Sequence, residues 1–311
     1  MRRRTRAGLL LAGLLAGISG CGLGPGRTPG GVGLAVTDDF GRATVFDSGA
    51  PRVSGQDTVM RLLERNVTIT TRYGGGFVQS IDGRSGGHVA ERPIDWFYYV
   101  NGSEAEKGAA ATVVHPGDRV WWDRHDWGAA MDTPAVVGSF PEPFLHGRAG
   151  RRLPVRVDCL GADPGPCRMV AERLGAAGVP TVGRGSPGPA AGGASALRVL
   201  VGVWRALRRD PTAARLEGGP VSSGVYARPT ASGASIELLD ERGRRAQALG
   251  PAGGLVAATR SEGDMPVWVV TGTDSAGVRQ AAGALRPEVL RHRFAVAVGP
   301  GASVALPEAP R

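Results

Sequence analysis

The sequence predicts an α+β protein made of two units, and three observations carry that prediction. Short β-branched runs surround a single amphipathic helix between residues 31 and 139, whereas strand-like and helical segments alternate from 154 to 311. Aromatic residues are concentrated, nine of the 17 falling between Tyr73 and Trp127. Charge divides in the same region, with 11 cations against 15 acids over residues 28–149 and 21 against 13 over 150–311. A chain of 311 residues suits two domains of about 150 residues each.

The first segment reads as an address. Arg2, Arg3, Arg4 and Arg6 precede an apolar run from Ala7 to Ile18, the pattern of a signal peptide, expected over residues 1–20. Ile18-Ser19-Gly20-Cys21 resembles the bacterial lipobox, in which small residues fit the signal peptidase and the thiol receives diacylglycerol. The resemblance implies that Cys21 is acylated, that residues 21–30 form a tether, and that the protein sits on the extracytoplasmic face of the cell membrane with the lipid bilayer as its partner.

Within residues 31–139, Val32–Val36 and Ala43–Phe46 read as strands flanking a polar turn at Asp38–Arg42. Asp57 or Thr58 is placed to cap a short helix whose Val59, Leu62 and Leu63 form one apolar stripe. Then come NVTITT, the glycines 74–76, FVQSI, and DWFYYV closed by Asn101-Gly102, a strong hairpin-turn signal. Pro116-Gly117-Asp118 leads into RVWWD, a strand whose adjacent indoles must point to opposite faces. Two strands, a helix and further strands is the order of a β-grasp.

The residues carry a closer resemblance. Gly75-Gly76-Phe77-Val78 with Ile81 and Gly83, Trp96 with Tyr98 to Gly102, Gly108-Ala109, and Pro116-Gly117-Asp118 with Val120 and Trp122 together resemble the transcobalamin-like C-terminal domain family, a relative of the soluble-ligand-binding β-grasp. The resemblance covers about residues 31–127 and implies a reader of small molecules. In transcobalamin-type proteins such a domain closes over cobalamin while a helical barrel supplies most of the pocket. The ligand implied is therefore cobalamin or another corrinoid, and the partner implied is an α/α-barrel corrinoid-binding protein or a transporter, since the rest of this chain has no barrel pattern. The candidate ligand contacts are Tyr98, Tyr99, Trp121, His125 and Trp127, because a broad apolar ring with amide fringes suits aromatic faces with polar tips. Tyr99 and Trp121 are expected on the solvent face, Trp96, Tyr98 and Trp122 in the core, and His125 in a loop after the aromatic strand.

Residues 140–153, rich in proline, read as a linker. The second domain, 154–311, is expected to be an α/β sandwich, with strands at Leu153–Cys159, Leu197–Trp204, Ser235–Asp240, Val267–Asp274 and Arg293–Val298 and helices at Cys167–Val179 and Ser275–Leu285. The step from Val270 into Ser275 offers either an anion site on a helix N-terminus or a turn capped by Thr273 or Asp274. Cys159 and Cys167 are expected to form a disulfide in an oxidising exterior.

Of the 37 cations, 36 are arginine and Lys107 is the single lysine. They form no extended basic run outside the N-terminus, which argues against nucleic acid as a partner. No hydrolase, zincin, phosphate-loop or dinucleotide motif occurs, so the expected function is non-enzymatic, with no catalytic residue, metal site or certain cofactor. The leading expectation is a lipoprotein that binds a small molecule as an accessory to uptake. A cell-envelope protein-interaction module and a glycan-binding surface protein are the alternatives.

Overall fold

The computed structural model describes residues 28–161, 163–179, 182–185, 196–261 and 265–309. Cys21, the signal segment and most of the tether lie outside the described residues. The chain is α+β.

The N-terminal half contains β1 (Gly33–Asp38), β2 (Ala43–Ser48), α1 (Val59–Asn66), β3 (Ile69–Arg72), β4 (Phe77–Ile81), β5 (Arg84–Ser85), β6 (Gly87–Val89), β7 (Arg92–Val100), β8 (Ser103–Glu104) and β9 (Arg119–Asp126). The main sheet runs β2-β1-β9-β7-β6, with β8 on the end of β7 and a separate small sheet β3-β4-β5. The first strand pairs in parallel with the last, Leu34 opposite Val120, while β7 runs antiparallel to β9 with Tyr98 opposite Trp122. This is the β-grasp arrangement.

Thr58 caps α1, its side chain accepting from the Arg61 amide at 3.3 Å. Asp57, the other candidate, instead bonds the Ser54 amide and the Arg65 guanidinium. α1 places Val59, Leu62 and Leu63 against Leu34, Val36, Tyr98, Val120 and Trp122. Each such side chain contributes roughly 1.5–3 kcal/mol when removed from water. At the far end of β7, Asn101 and Gly102 both take positive φ, 53° and 75°, the geometry that a two-residue hairpin turn requires.

The C-terminal half contains β10 (Val155–Leu160), α2 (Gly165–Ala176), β11 (Val182–Gly185), β12 (Leu197–Val203), three one-turn helices α3 (Trp204–Leu207), α4 (Pro211–Ala214) and α5 (Pro220–Ser223), β13 (Ala227–Pro229), β14 (Ile236–Leu239), β15 (Arg245–Leu249), β16 (Gly254–Thr259), β17 (Val267–Gly272), α6 (Ser275–Gly283), α7 (Pro287–Leu290), β18 (Ala295–Gly299) and β19 (Ala302–Leu306). Seven strands form one sheet in the order β11-β10-β12-β17-β16-β18-β19, and β13-β14-β15 form another. The first four are mutually parallel, the remainder antiparallel.

Alternation along these strands builds two cores. Val199, Val201, Val256, Trp268 and Val270 face α2 and α6, whereas Leu200, Leu255, Ala257, Val269 and Ala297 face the β13-β14-β15 side. Helices therefore cover one face, and strands cover the other. Cys159 and Cys167 are joined in a disulfide across the β10–α2 connection, with Cα atoms 6.0 Å apart. At the head of α6, Asp274 accepts the amides of Gly277 and Ala252 at 2.9 and 2.8 Å. Its own carboxylate takes the place an external anion would need, and those two amide bonds, Gly277 first, hold its pKa below the ordinary value.

The segment expected as a linker is corrected by its burial. Phe140 and Phe144 are 7% and 1% exposed and pack on Trp268 with ring centroids 6.0 and 5.0 Å away. Residues 135–144 thus belong to the core of the C-terminal half, which their aromatic content made possible and their prolines concealed.

Candidate functional site

The two faces of β7 and β9 separate the candidate residues. Tyr98 points with Trp96 and Trp122 into the α1 core and stacks on Trp122 at 4.8 Å. Its hydroxyl donates to the Lys107 carbonyl at 2.5 Å and lies 2.8 Å from the Thr112 hydroxyl, tying down the segment that follows β8.

Tyr99 and Trp121, expected on a solvent face, are 0% and 2% exposed. The covering surface is the chain's own C-terminal half. Phe294 meets Tyr99 and Trp121 edge-on at 5.8 and 5.3 Å, and both rings share a core with Leu200, Trp204 and Val269. Burial, then the carboxylates of Glu104 and Asp123, push the Tyr99 phenol well above its ordinary pKa.

His125, expected in a loop, is part of β9 and 4% exposed. The strand continues past the aromatic pair because β1 and β7 both supply ladder partners out to Arg124 and Asp126. The imidazole stacks on Phe97 at 4.5 Å, lies 4.7 Å from Phe40, and bonds Asp123 through Nδ1 at 2.9 Å. Asp123, fully buried, also accepts from the Thr37 hydroxyl at 2.5 Å and the amides of Phe40 and Gly41 at 3.1 and 2.8 Å. Trp121 Nε1 donates to the same Thr37 hydroxyl at 2.7 Å. A buried carboxylate survives such a position only when its lone pairs are filled in this way.

Phe40, expected inside a polar turn, anchors this interface. It contacts His125, Tyr226 and Phe294, with centroids 4.7 to 5.2 Å away. A lone aromatic amid Asp-Asp-Phe-Gly-Arg was the signal available. Around the rim, Arg92 joins Asp126 at 2.8 Å to Glu241 at 2.7 Å, and Arg42 donates to the Pro307 carbonyl at 2.9 Å.

Of the five candidates, Trp121 and Trp127 border cavities, and the more exposed of the two is Trp127. Its indole N–H donates to Asp95 at 3.0 Å, and its amide to the Pro93 carbonyl. The residue lines a cavity of about 790 Å³ between the two halves, together with Met131, Val221, Glu104, Arg215 and Arg260. Met131 and Val221 are 61% and 83% exposed, two of the four large apolar side chains so displayed among the described residues. Glu104 is pushed up to about 7, chiefly by burial and then by Asp132. A second cavity of about 660 Å³ adjoins the first across Glu104, Ala105 and Glu106, and is bordered by Lys107, Arg148 and Arg151. A third, of about 480 Å³, lies beside Trp121 and Phe140, where Asp47 already pairs with Arg291 and His292.

The sequence alone had no route to Met131, Val221 or Arg260, since they come from a loop, a one-turn helix and the residue that follows β16. In comparison with known proteins, residues 56–126 are similar to a family described as a domain of unknown function, DUF4430. No curated protein matches the chain significantly.

Proposed function

We propose that this chain is a lipid-anchored extracytoplasmic protein, without catalytic activity, that binds a small organic molecule in the cleft between its two halves. One observation carries the reading: an indole, two exposed apolar side chains and a buried arginine from three separate segments converge on one cavity. Its 790 Å³ falls in the range of about 300–1,000 Å³ that ligand pockets occupy. A soluble chain gains nothing by leaving Met131 and Val221 in water beside Trp127, whereas a ligand that covers them contributes roughly 25 cal/mol for each Å² buried.

The sheet face that would close over a corrin ring is occupied by Phe294 and Trp204, so a corrinoid would meet the protein at the cleft, with Trp127 as its aromatic contact. Titration of the ectodomain with cobalamin and cobinamide, followed by tryptophan quenching, tests it. Saturable quenching that Val221→Asp abolishes supports the cleft. Quenching by neither corrinoid removes that ligand class.

A protein-interaction role is the second reading, favoured by Tyr73. It is 84% exposed at the tip of the β3–β4 hairpin and sits edge-on to Phe77 at 6.1 Å. Cross-linking on cells that captures one stable partner, lost in Tyr73→Ser, would support this reading.

A further inference from the structure

The partition between the two adjoining cavities is the segment Ser103–Lys107, and its central feature is an ion pair with unequal members. The Arg260 side chain is 8% exposed. Its Nε donates to the Pro134 carbonyl and its Nη2 to the Glu104 carbonyl, both at 2.9 Å, while Nη1 is paired with Glu106. Two neutral carbonyls and one carboxylate therefore hold a guanidinium that is almost out of water. An arginine so placed needs a countercharge, because leaving it unmatched costs several kcal/mol.

That countercharge comes from a side chain that is itself 51% exposed. The same oxygen, Oε1 of Glu106, also accepts from Arg148 at 2.9 Å. Arg260 and then Arg148 hold the Glu106 carboxyl below its ordinary pKa, so it is an anion at neutral pH. One oxygen thus lies between two guanidinium groups at the junction of the two cavities, on a side chain that water can readily receive if it swings out.

The surroundings favour a negative occupant. Arg148 and Arg151 project from the ends of one tight turn, each bonding the other's backbone, and Lys107 follows Glu106 directly. Lys107, Arg151 and Arg215 border the cavities and make no ion pair among the described residues. The acids facing the same space are otherwise engaged. Glu104 accepts the Thr133 amide at 2.8 Å, and Asp118 accepts the His115 amide and the Asn101 side chain, each at 2.8 Å. Asp132 alone lies open at the outer rim of the first cavity.

We propose that Glu106 is an internal stand-in for the anionic group of the cleft's ligand, which replaces it on Arg148 and Arg260. The inference rests on the cleft reading above and names its ligand class: an amphipathic anion, with an apolar body against Trp127, Met131 and Val221 and a carboxylate, phosphate or sulfonate at the arginine pair. Planar guanidinium groups suit such heads because they donate two hydrogen bonds in fixed geometry. Glu106 keeps the buried arginine neutralised until the ligand arrives, and swings into water when displaced.

The test compares two fluorescent probes of nearly the same body, anilinonaphthalene sulfonate, an anion, and N-phenyl-1-naphthylamine, which is uncharged. All the contacts described begin at residue 28, so the chain from that residue onward is used, free of detergent. Glu106→Gln should tighten the sulfonate by about tenfold, the value of a released charge-assisted bond, and leave the amine unchanged. Arg148→Gln, at a side chain 29% exposed and so tolerant of change, should weaken the sulfonate alone. Benzoate and phenyl phosphate, as competitors at matched ionic strength, then distinguish a carboxylate ligand from a phosphate one. If both probes bind, Val221→Asp weakens both, and neither Glu106→Gln nor Arg148→Gln alters their ratio, the stand-in role is wrong and the cleft survives. If neither probe binds, or Val221→Asp affects neither, the cleft reading falls and takes this inference with it.

Discussion

The two faces of the N-terminal sheet are buried by different means. The face formed by Leu34, Val36, Tyr98, Val120 and Trp122 is covered by α1, a helix a few tens of residues away in the chain, and its core is apolar. The opposite face carries Thr37, Tyr99, Trp121, Asp123 and His125 and is covered by Phe294, Tyr226 and Trp204 from far along the sequence. There a polar network centred on Asp123 accompanies the aromatic rings. The first face needs only shape and hydrophobicity. The second also needs the lone pairs of Asp123 filled by Thr37, Phe40, Gly41 and His125, which makes it the more specific of the two and ties the halves into one unit.

Five substitutions probe that contrast. The largest effect is expected from Trp122→Ala on the α1 face, a loss of about 3–5 kcal/mol from the cavity left behind, measured by denaturant unfolding. Phe294→Ala, on the other face, is expected to cost a similar amount within a single cooperative transition. Two separate transitions in that variant would mean that the second face is a docking surface rather than a shared core.

Gly41→Ala is expected next, at about 2–3 kcal/mol. Gly41 has φ 78°, and a Cβ there would lie 2.0 Å from the His292 carbonyl oxygen. The clash strikes the interface without touching α1, so thermal unfolding should show lost stability while the helix signal at moderate temperature persists.

Glu104→Gln works in the opposite direction. Glu104 titrates near 7 in the fold because burial, then Asp132, disfavour its charge, against an ordinary value near 4.5. The folded chain therefore binds the proton more tightly than the unfolded one, and stability is full below about pH 4.5, declines as pH rises toward 7, and stays lower above it. Replacing the acid should remove about 2 kcal/mol of that decline, and wild-type and variant stabilities measured at pH 5 and pH 8 would show it. A wild-type stability flat across that window would contradict the assignment. Arg92→Gln is expected to cost least, about 1 kcal/mol, since the side chain is 32% exposed and rim ion pairs are screened. Double-mutant cycles with Glu241→Gln measure it.

Much of the first face was legible in the sequence. The Val59-Leu62-Leu63 stripe, a cap at Asp57 or Thr58, the Asn101-Gly102 turn and the opposed pair Trp121-Trp122 follow from helical and strand periods and from the backbone geometry that each residue type accepts. The alternation also required that Tyr99 and Trp121 lie opposite Tyr98 and Trp122, as they do. It carried no information on whether that opposite face meets water. Expecting it to do so was reasonable for a β-grasp taken alone, and it failed because the covering residues belong to a different unit. Phe140 and Phe144 failed for a related reason: proline marks an irregular backbone, and an irregular backbone can still deliver a buried ring.

The sequence by itself determined the α+β class, the β-grasp order of strands and helix and the division of the main sheet into two side-chain faces, because these depend on local periodicity and on φ, ψ preferences within a few residues. Only the tertiary structure decided that the second face is closed by the chain's own C-terminal half, that His125 is a core residue beside Asp123, and that Trp127, Val221 and Arg260 border one cavity. Burial and proximity are properties of pairs of segments, and the residues that complete these pairs lie roughly a hundred or more positions apart, beyond the reach of any local pattern.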